Sequence, residues 1–145
     1  MLDTIQHIDR VTRLLDVIAN ELDLRAAGHD QSKLISPEKE VFEKYTPLLA
    51  GLTYGSEEYH AILLEMKPAI DHHYANNRHH PEHFANGIDG MTLIDLVEMF
   101  CDWKAATKRH NNGSLTRSLE INGKRFGMSD QLINIFRNTI KELGW

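Results

Sequence analysis

Apolar residues at Ile5, Ile8, Val11, Leu14, Leu15 and Ile18 recur every three or four positions, the period of one face of an α-helix. This spacing predicts an amphipathic helix over residues 3–22 with its apolar side turned to a core. A short second helix is predicted over 23–33. Ser36, Pro37 and Glu38 then supply an N-cap, a first-turn proline and a favourable first-turn charge for a third. Ser56 caps a further helix that reaches about residue 76, and Pro68 inside it predicts a kink or a break. Residues 77–90, rich in Asn, His, Pro and Gly, read as a structured loop long enough to suggest function. Thr92 and Asp95 form a capping-box-like start to the strongest helix, which runs to about residue 109 and is terminated by Asn111, Asn112 and Gly113. A short helix over 114–121, ended by Asn122 and Gly123, and a last one from Ser129 toward Leu143 complete the pattern. No segment alternates as a strand does, so the expected fold is a single all-α helical bundle spanning residues 1–145.

Composition narrows the function classes. The 145 residues suit one domain, and no apolar run approaches the roughly 20 residues that span a bilayer. The first ten residues carry acidic side chains where a secretory signal would be basic and then apolar, so a cytoplasmic location without membrane attachment is expected. A net charge of -5 argues against broad electrostatic binding of nucleic acid. Cys101 is the only cysteine, which removes disulfides and thiolate-rich zinc sites and leaves imidazole and carboxylate as the available metal ligands. Such ligands suit Mn, Fe, Co, Ni or Zn.

The chain carries nine histidines, and several fall where a ligand would be useful. His7 is in line with Val11, Leu14 and Ile18, so its imidazole is expected to enter the core. Asp102 lies among Met99, Cys101, Ala105 and Ala106, where a carboxylate is costly without compensation. His29 and Asp30 are adjacent, about 100° apart on a helix, and both can reach an ion over the edge between them. The stripe Ile62, Met66, Ile70, His73 favours His73 as the inward residue, while His72 can also reach inward after Pro68. His80 precedes Pro81 and is biased to extended backbone.

The order His7, His29–Asp30, Asp102 resembles the HD-domain superfamily of metal-dependent phosphohydrolases over roughly residues 1–110. The middle of the chain sharpens the likeness to the dinuclear HD-GYP branch. Lys33 matches the lysine three residues after the HD pair, His72 or His73 the single histidine, and His79–His80 in NRHHPEHF the HH pair; DLVEMFCDWKAATKR looks like the helix bearing the last aspartate. A GYP segment is missing, and the cyclic-dinucleotide specificity of that branch is not carried over. The chain is also similar to a small family found in phages and bacteria around GHDQSK, NRHHPEHF, DLVEMFCDW and SDQL. Residues 111–145 have no counterpart in the superfamily and form a C-terminal helical extension.

The resemblance implies two divalent transition-metal ions held by His7, His29, Asp30, His73, His79, His80 and Asp102, with Asp30 bridging. It implies hydrolysis of a nucleotide or other small phosphate ester by a metal-activated water. In that scheme Lys33 neutralises charge on the phosphoryl group, and His83 or solvent protonates the leaving group. Arg78, Lys104, Lys108, Arg109, Arg117 and Arg125 are further candidates for phosphate contacts. Two rival expectations stand beside it: a di-iron oxygenase of the same superfamily, and a non-catalytic protein binding nucleotide or metal. Oligomeric state is left open, with a homo-oligomer among the expectations.

Overall fold

A computed structural model describes residues 1–53, 56–108 and 113–145. Among these the chain forms six α-helices and no strand: α1 (Leu2–Gly28), α2 (Glu38–Ala50), α3 (Glu57–Asn76), α4 (Leu93–Thr107), α5 (Leu115–Arg125) and α6 (Asp130–Leu143). The all-α expectation holds. Among the described residues, no helix is long and apolar enough to cross a membrane.

Helix starts follow the local chemistry. Side-chain oxygens of Ser56, Ser114 and Ser129 accept the amide hydrogens of Tyr59, Arg117 and Leu132, as N-caps do. Thr92 and Asp95 close a full capping box. Other boundaries differ from the sequence pattern. Residues 3–33 do not form two helices, because nothing interrupts helical geometry before Gly28, and a 3-10 turn over Gln31–Leu34 follows. Ser36 is not the cap of α2, which starts at Glu38 after Pro37. Pro68 does not break α3. Asn122 and Gly123 do not end α5 either: Gly123 sits inside the helix, where an added Cβ would lie 3.0 Å from Ile133 Cδ1, so its bare backbone lets α6 pack close.

The apolar core lies toward the C-terminal end. Met99 and Phe100 of α4 meet Leu115 and Leu119 of α5, Met128, and Phe136 of α6. Phe100 stacks on Trp145 with ring centroids 5.2 Å apart and lies 5.0 Å from Phe136. Residues 111–145, set apart in the sequence as an extension, thus supply four of the six buried side chains of this cluster: Leu115, Leu119, Met128 and Phe136. The end formed by α2, α3 and the close of α1 buries Met66 and Ala69, together with the polar residues Glu38, His73, Asn77 and His79.

The largest departure concerns α1. Its apolar stripe was expected to face a core, yet α1 has no buried residue, and Ile5, Ile8, Leu14 and Leu15 are each more than half exposed. Periodicity identifies which side of a helix is apolar; it does not specify what covers that side. Among the described residues, the C-terminal turns of α1 meet the bundle, chiefly through α4.

This distribution sets the expected cost of core truncation. Leu119→Ala, at a fully buried position, should lower unfolding free energy by about 3 kcal/mol. Leu64→Ala, on an exposed face, should change it by less than about 0.5 kcal/mol. Urea denaturation of both variants checks this, and equal losses would place the core elsewhere.

Candidate metal centre

The site forms where α1 ends. Gly28 is the last helical residue and Asp30 turns the chain with φ 55° and ψ 15°. That left-handed conformation costs a non-glycine residue roughly 1–2 kcal/mol, and aspartate tolerates it better than most. The turn directs the two carboxylate oxygens of Asp30 to different neighbours. Oδ1 lies 3.3 Å from His73 Nε2 and 3.4 Å from His79 Nε2, whereas Oδ2 accepts from Lys33 Nζ at 2.7 Å and lies 3.7 Å from His29 Nε2. His80 Nε2 is 3.0 Å from His73 Nε2, and Asp102 Oδ1 is 3.7 Å from His29 Nε2.

His73, His79 and His80 present Nε2 toward one centre beside Asp30 Oδ1, His29 turns its Nε2 to Asp30 Oδ2 and Asp102, and the Nδ1 atoms of His29, His73 and His79 are held from behind. His73 Nδ1 donates to Glu38 Oε2 at 2.8 Å. His29 and His79 both present Nδ1 to Glu98 Oε1, at 2.9 and 3.1 Å. Carboxylates behind the rings fix their orientation and leave Nε2 as the inward atom, as in carboxylate–histidine–metal arrangements. Glu38 is fully buried and also accepts from His72 Nδ1 and Ser32 Oγ. Glu98 is tied by Arg25 at 3.0 Å.

Asp30, His73, His79 and His80 each offer one donor atom within a sphere small enough to hold a metal ion. Two of those atoms, Asp30 Oδ1 and His79 Nε2, are buried without a hydrogen-bond partner. Buried orphan polar atoms are costly and rare, and a cation between them would satisfy both. The spacings His73–His80, His73–Asp30 and His79–Asp30, at 3.0, 3.3 and 3.4 Å, are the edge lengths expected around an ion with ligands at about 2.1 Å. A second grouping of His29, His79 and Glu98 is accounted for by hydrogen bonding, since it uses the Nδ1 atoms already donating to Glu98.

The charges agree with an electron-rich cavity. The carboxylates of Asp102, 3.7 Å away, and Glu98, hydrogen-bonded at 2.9 Å, push His29 up to about 10. Burial and the neighbouring His79 and His73 push His80 down to about 3. Burial would raise Asp30, but the His73 ring beside Oδ1 and the Lys33 ammonium on Oδ2 outweigh it and hold the carboxyl well below its usual range. Glu98 and Glu38 are lowered in the same way by their histidines, again against burial.

Other residues expected at the site are placed elsewhere. His7 is exposed on α1, 22 residues before His29, or about 33 Å along a helix axis, so within one chain it does not reach the cluster. His73, not His72, faces the centre; His72 is turned to Glu38. His83 donates from Nδ1 to the Tyr74 carbonyl at 2.8 Å, and among the described residues no hydrogen bond joins it to the cluster. Arg78 pairs with the buried Asp95 through two bonds of 3.0 and 3.2 Å, which gives it a structural partner. Lys104 lies over the Trp145 ring, and Lys108 is exposed at the end of α4. Arg109 falls outside the described residues. Arg125 pairs with Glu82 at 2.7 Å beside a cleft of about 250 Å³ lined by His80, Tyr74, Ser118, Asn122 and Arg125 among others.

The sequence profile of one family matches residues 1–142. The chain belongs to DUF5662, a family of unknown function. No curated protein and no solved structure matches it. DUF5662 membership spans both the histidine-bearing half and the C-terminal helices, so the two halves belong to one family unit.

Sequence reasoning missed Glu38, read as a first-turn helix charge. Glu98 shares one face of α4 with Asp95 and Asp102, a spacing that suits either an orienting group or the solvent edge of the helix. Two outcomes follow. Glu38→Gln and Glu98→Gln should each weaken Mn²⁺ binding by about 10- to 100-fold while leaving the helical content unchanged, as titration calorimetry and circular dichroism can read. His29, held protonated in the metal-free protein up to about 10, must lose a proton to become a ligand. Mn²⁺ affinity should therefore rise about tenfold per pH unit between pH 7 and 9, with one proton released per site. Calorimetry in buffers of different ionisation enthalpy measures that proton, and a flat profile would contradict the arrangement.

Proposed function

We propose that the chain is a metal-dependent phosphohydrolase acting on a nucleotide or another small phosphate ester. The observation carrying this reading is the convergence of Nε2 from His29, His73, His79 and His80 with the carboxylates of Asp30 and Asp102, around two buried atoms that lack partners. His73, His79, His80 and Asp30 Oδ1 would hold one divalent transition-metal ion; Asp30 Oδ2, His29 and Asp102 would hold a second, with Asp30 shared between them. Ions held there supply Lewis acidity and water activation.

The remaining roles belong to the protein. Lys33, about one-third exposed and bonded to Asp30, stands where its ammonium can meet a phosphoryl oxygen as charge accumulates. Phe42 lies under its Nζ at 5.3 Å and limits where that group can swing. Glu98 and Glu38 keep the imidazoles aimed. The cleft beside His80 offers hydroxyl, amide and guanidinium groups from Ser118, Asn122 and Arg125, a set suited to a polar, anionic ligand of small size. Asp95 with Arg25 and Arg78 locks the loop bearing His79 and His80 to α4 without taking part in chemistry.

The test combines elemental analysis with a phosphatase screen on bis-p-nitrophenyl phosphate and nucleoside monophosphates. Lys33→Ala should keep its metal and lose at least about 100-fold in kcat, the scale of a lost oxyanion-type contact. Asp30→Ala should lose both metal and turnover. Wild-type turnover by Lys33→Ala would remove Lys33 from the mechanism, and a chain that takes up no Mn, Fe, Co, Ni or Zn would end the reading.

A further inference from the structure

The N-terminal part of α1 is a rod of apolar surface beside an apolar cleft of the same molecule. Ile8, Val11, Leu15, Ile18, Leu22, Ala26 and His29 recur at intervals of three or four residues, which keeps them on one stripe. Ile8, Val11, Leu15 and Ile18 are 58%, 40%, 61% and 47% exposed. The same stripe then enters a cleft of about 480 Å³ between the end of α1 and α4, where Leu22, Ala26 and His29 face Val97, Cys101 and Asp102. Large contiguous apolar surface of this kind marks an interaction site.

We infer that two copies of this chain pair through antiparallel α1 helices about a twofold axis at Ile18, each placing its N-terminal rod in the other's cleft and its His7 at the other's metal centre. This rests on the proposed metal centre. Three observations select a second copy as the occupant. The first is register: in an antiparallel pair centred on Ile18, residue 7 stands opposite residue 29, because both are 11 positions from the centre. The second is azimuth. His7 and Arg25 are 18 residues apart, five full helical turns, so they leave α1 in the same direction, and Arg25 points at α4 through Asp95 and Glu98. A twofold axis perpendicular to the helices keeps like flanks on the same side, so the partner copy's imidazole emerges beside α4, toward His29 and Asp102. The third is area. A rod about 30 Å long and 10 Å wide, half covered, buries about 450 Å², and the reciprocal cleft adds a similar amount. That reaches the roughly 800 Å² per partner of a stable interface.

The pairing also extends the donor set. On the cleft side His29 Nε2 lies 3.7 Å from both Asp30 Oδ2 and Asp102 Oδ1, and an imidazole from the second copy would add a nitrogen donor beside them. The cleft beside His80 shares no lining residue with the one the rod would fill, so the route for substrate stays open.

Sedimentation velocity and Co²⁺ titration test this together. Wild type should sediment at about twice the 16.7 kDa chain mass, and Ile18→Glu should sediment as a monomer with unchanged helical circular dichroism. His7→Ala should stay dimeric and bind Co²⁺ about 10- to 100-fold more weakly. At the position of His29, Asp30 and Asp102, co-expressed His7→Ala and Asp30→Ala chains should recover about a quarter of the wild-type Co²⁺ binding, since half of the dimers are mixed and each holds one complete site of its two. No recovery beyond the two variants measured separately would overturn delivery between copies. A monomeric wild type that binds Co²⁺ would overturn the inference and leave the metal centre standing. A dimer that binds no Co²⁺ would overturn the metal centre and the role of His7 with it.

Discussion

Glu98 holds three separated parts of the chain at one point. One oxygen accepts from His29 at the close of α1 and from His79 in the loop after α3, and the other accepts from Arg25. With Asp95 one turn earlier, bound by Arg25 and Arg78, it gives α4 an acidic face where an ordinary bundle would present leucine. Every imidazole orientation on that side depends on it. A carboxylate this enclosed is unfavourable unless each lone pair finds a donor, and the chain supplies those donors from residues distant in sequence. Glu38 repeats the device from the opposite wall, with Ser32, His72 and His73 as its donors.

The molecule thus has two kinds of interior. Around α5 and α6 it is held by packed aromatic and aliphatic side chains, with Phe100 between Phe136 and Trp145. Around the end of α1 it is held by hydrogen bonds between ionisable groups, with Met66 and Ala69 as the buried apolar residues of α3. The apolar end sets the position of α4, and α4 in turn positions Glu98 and Asp102. This explains why the C-terminal helices matter to a cluster whose residues end at position 102.

Helix positions were legible in the sequence because caps and periodicity are local: Ser56, Thr92, Ser114 and Ser129 each act within a turn. The inward residues His29, Asp30, His73, His79 and His80 were legible because their chemistry is unusual for the places they occupy. What the sequence concealed is tertiary. A glutamate in the first turn of a helix is ordinarily solvated, and only the approach of α3 makes Glu38 fully buried. The apolar stripe of α1 reads the same whether a core, a neighbouring chain or water lies against it, so the depth of His7 could not be inferred from spacing. Arg78 shows the converse: a basic residue beside a histidine pair looks available to an anion until Asp95 is seen to occupy it.

Asp30 combines two demands that oppose each other. Its backbone occupies the left-handed region at the point where a 27-residue helix must stop and reverse, a place where glycine would be more comfortable by about 1 kcal/mol. Its carboxylate is the shared contact of His73, His79, His29 and Lys33. Glycine at position 30 would relax the turn and remove the carboxylate that these four side chains share. The turn thus sets the comfort of the backbone against one acidic side chain at the end of a helix.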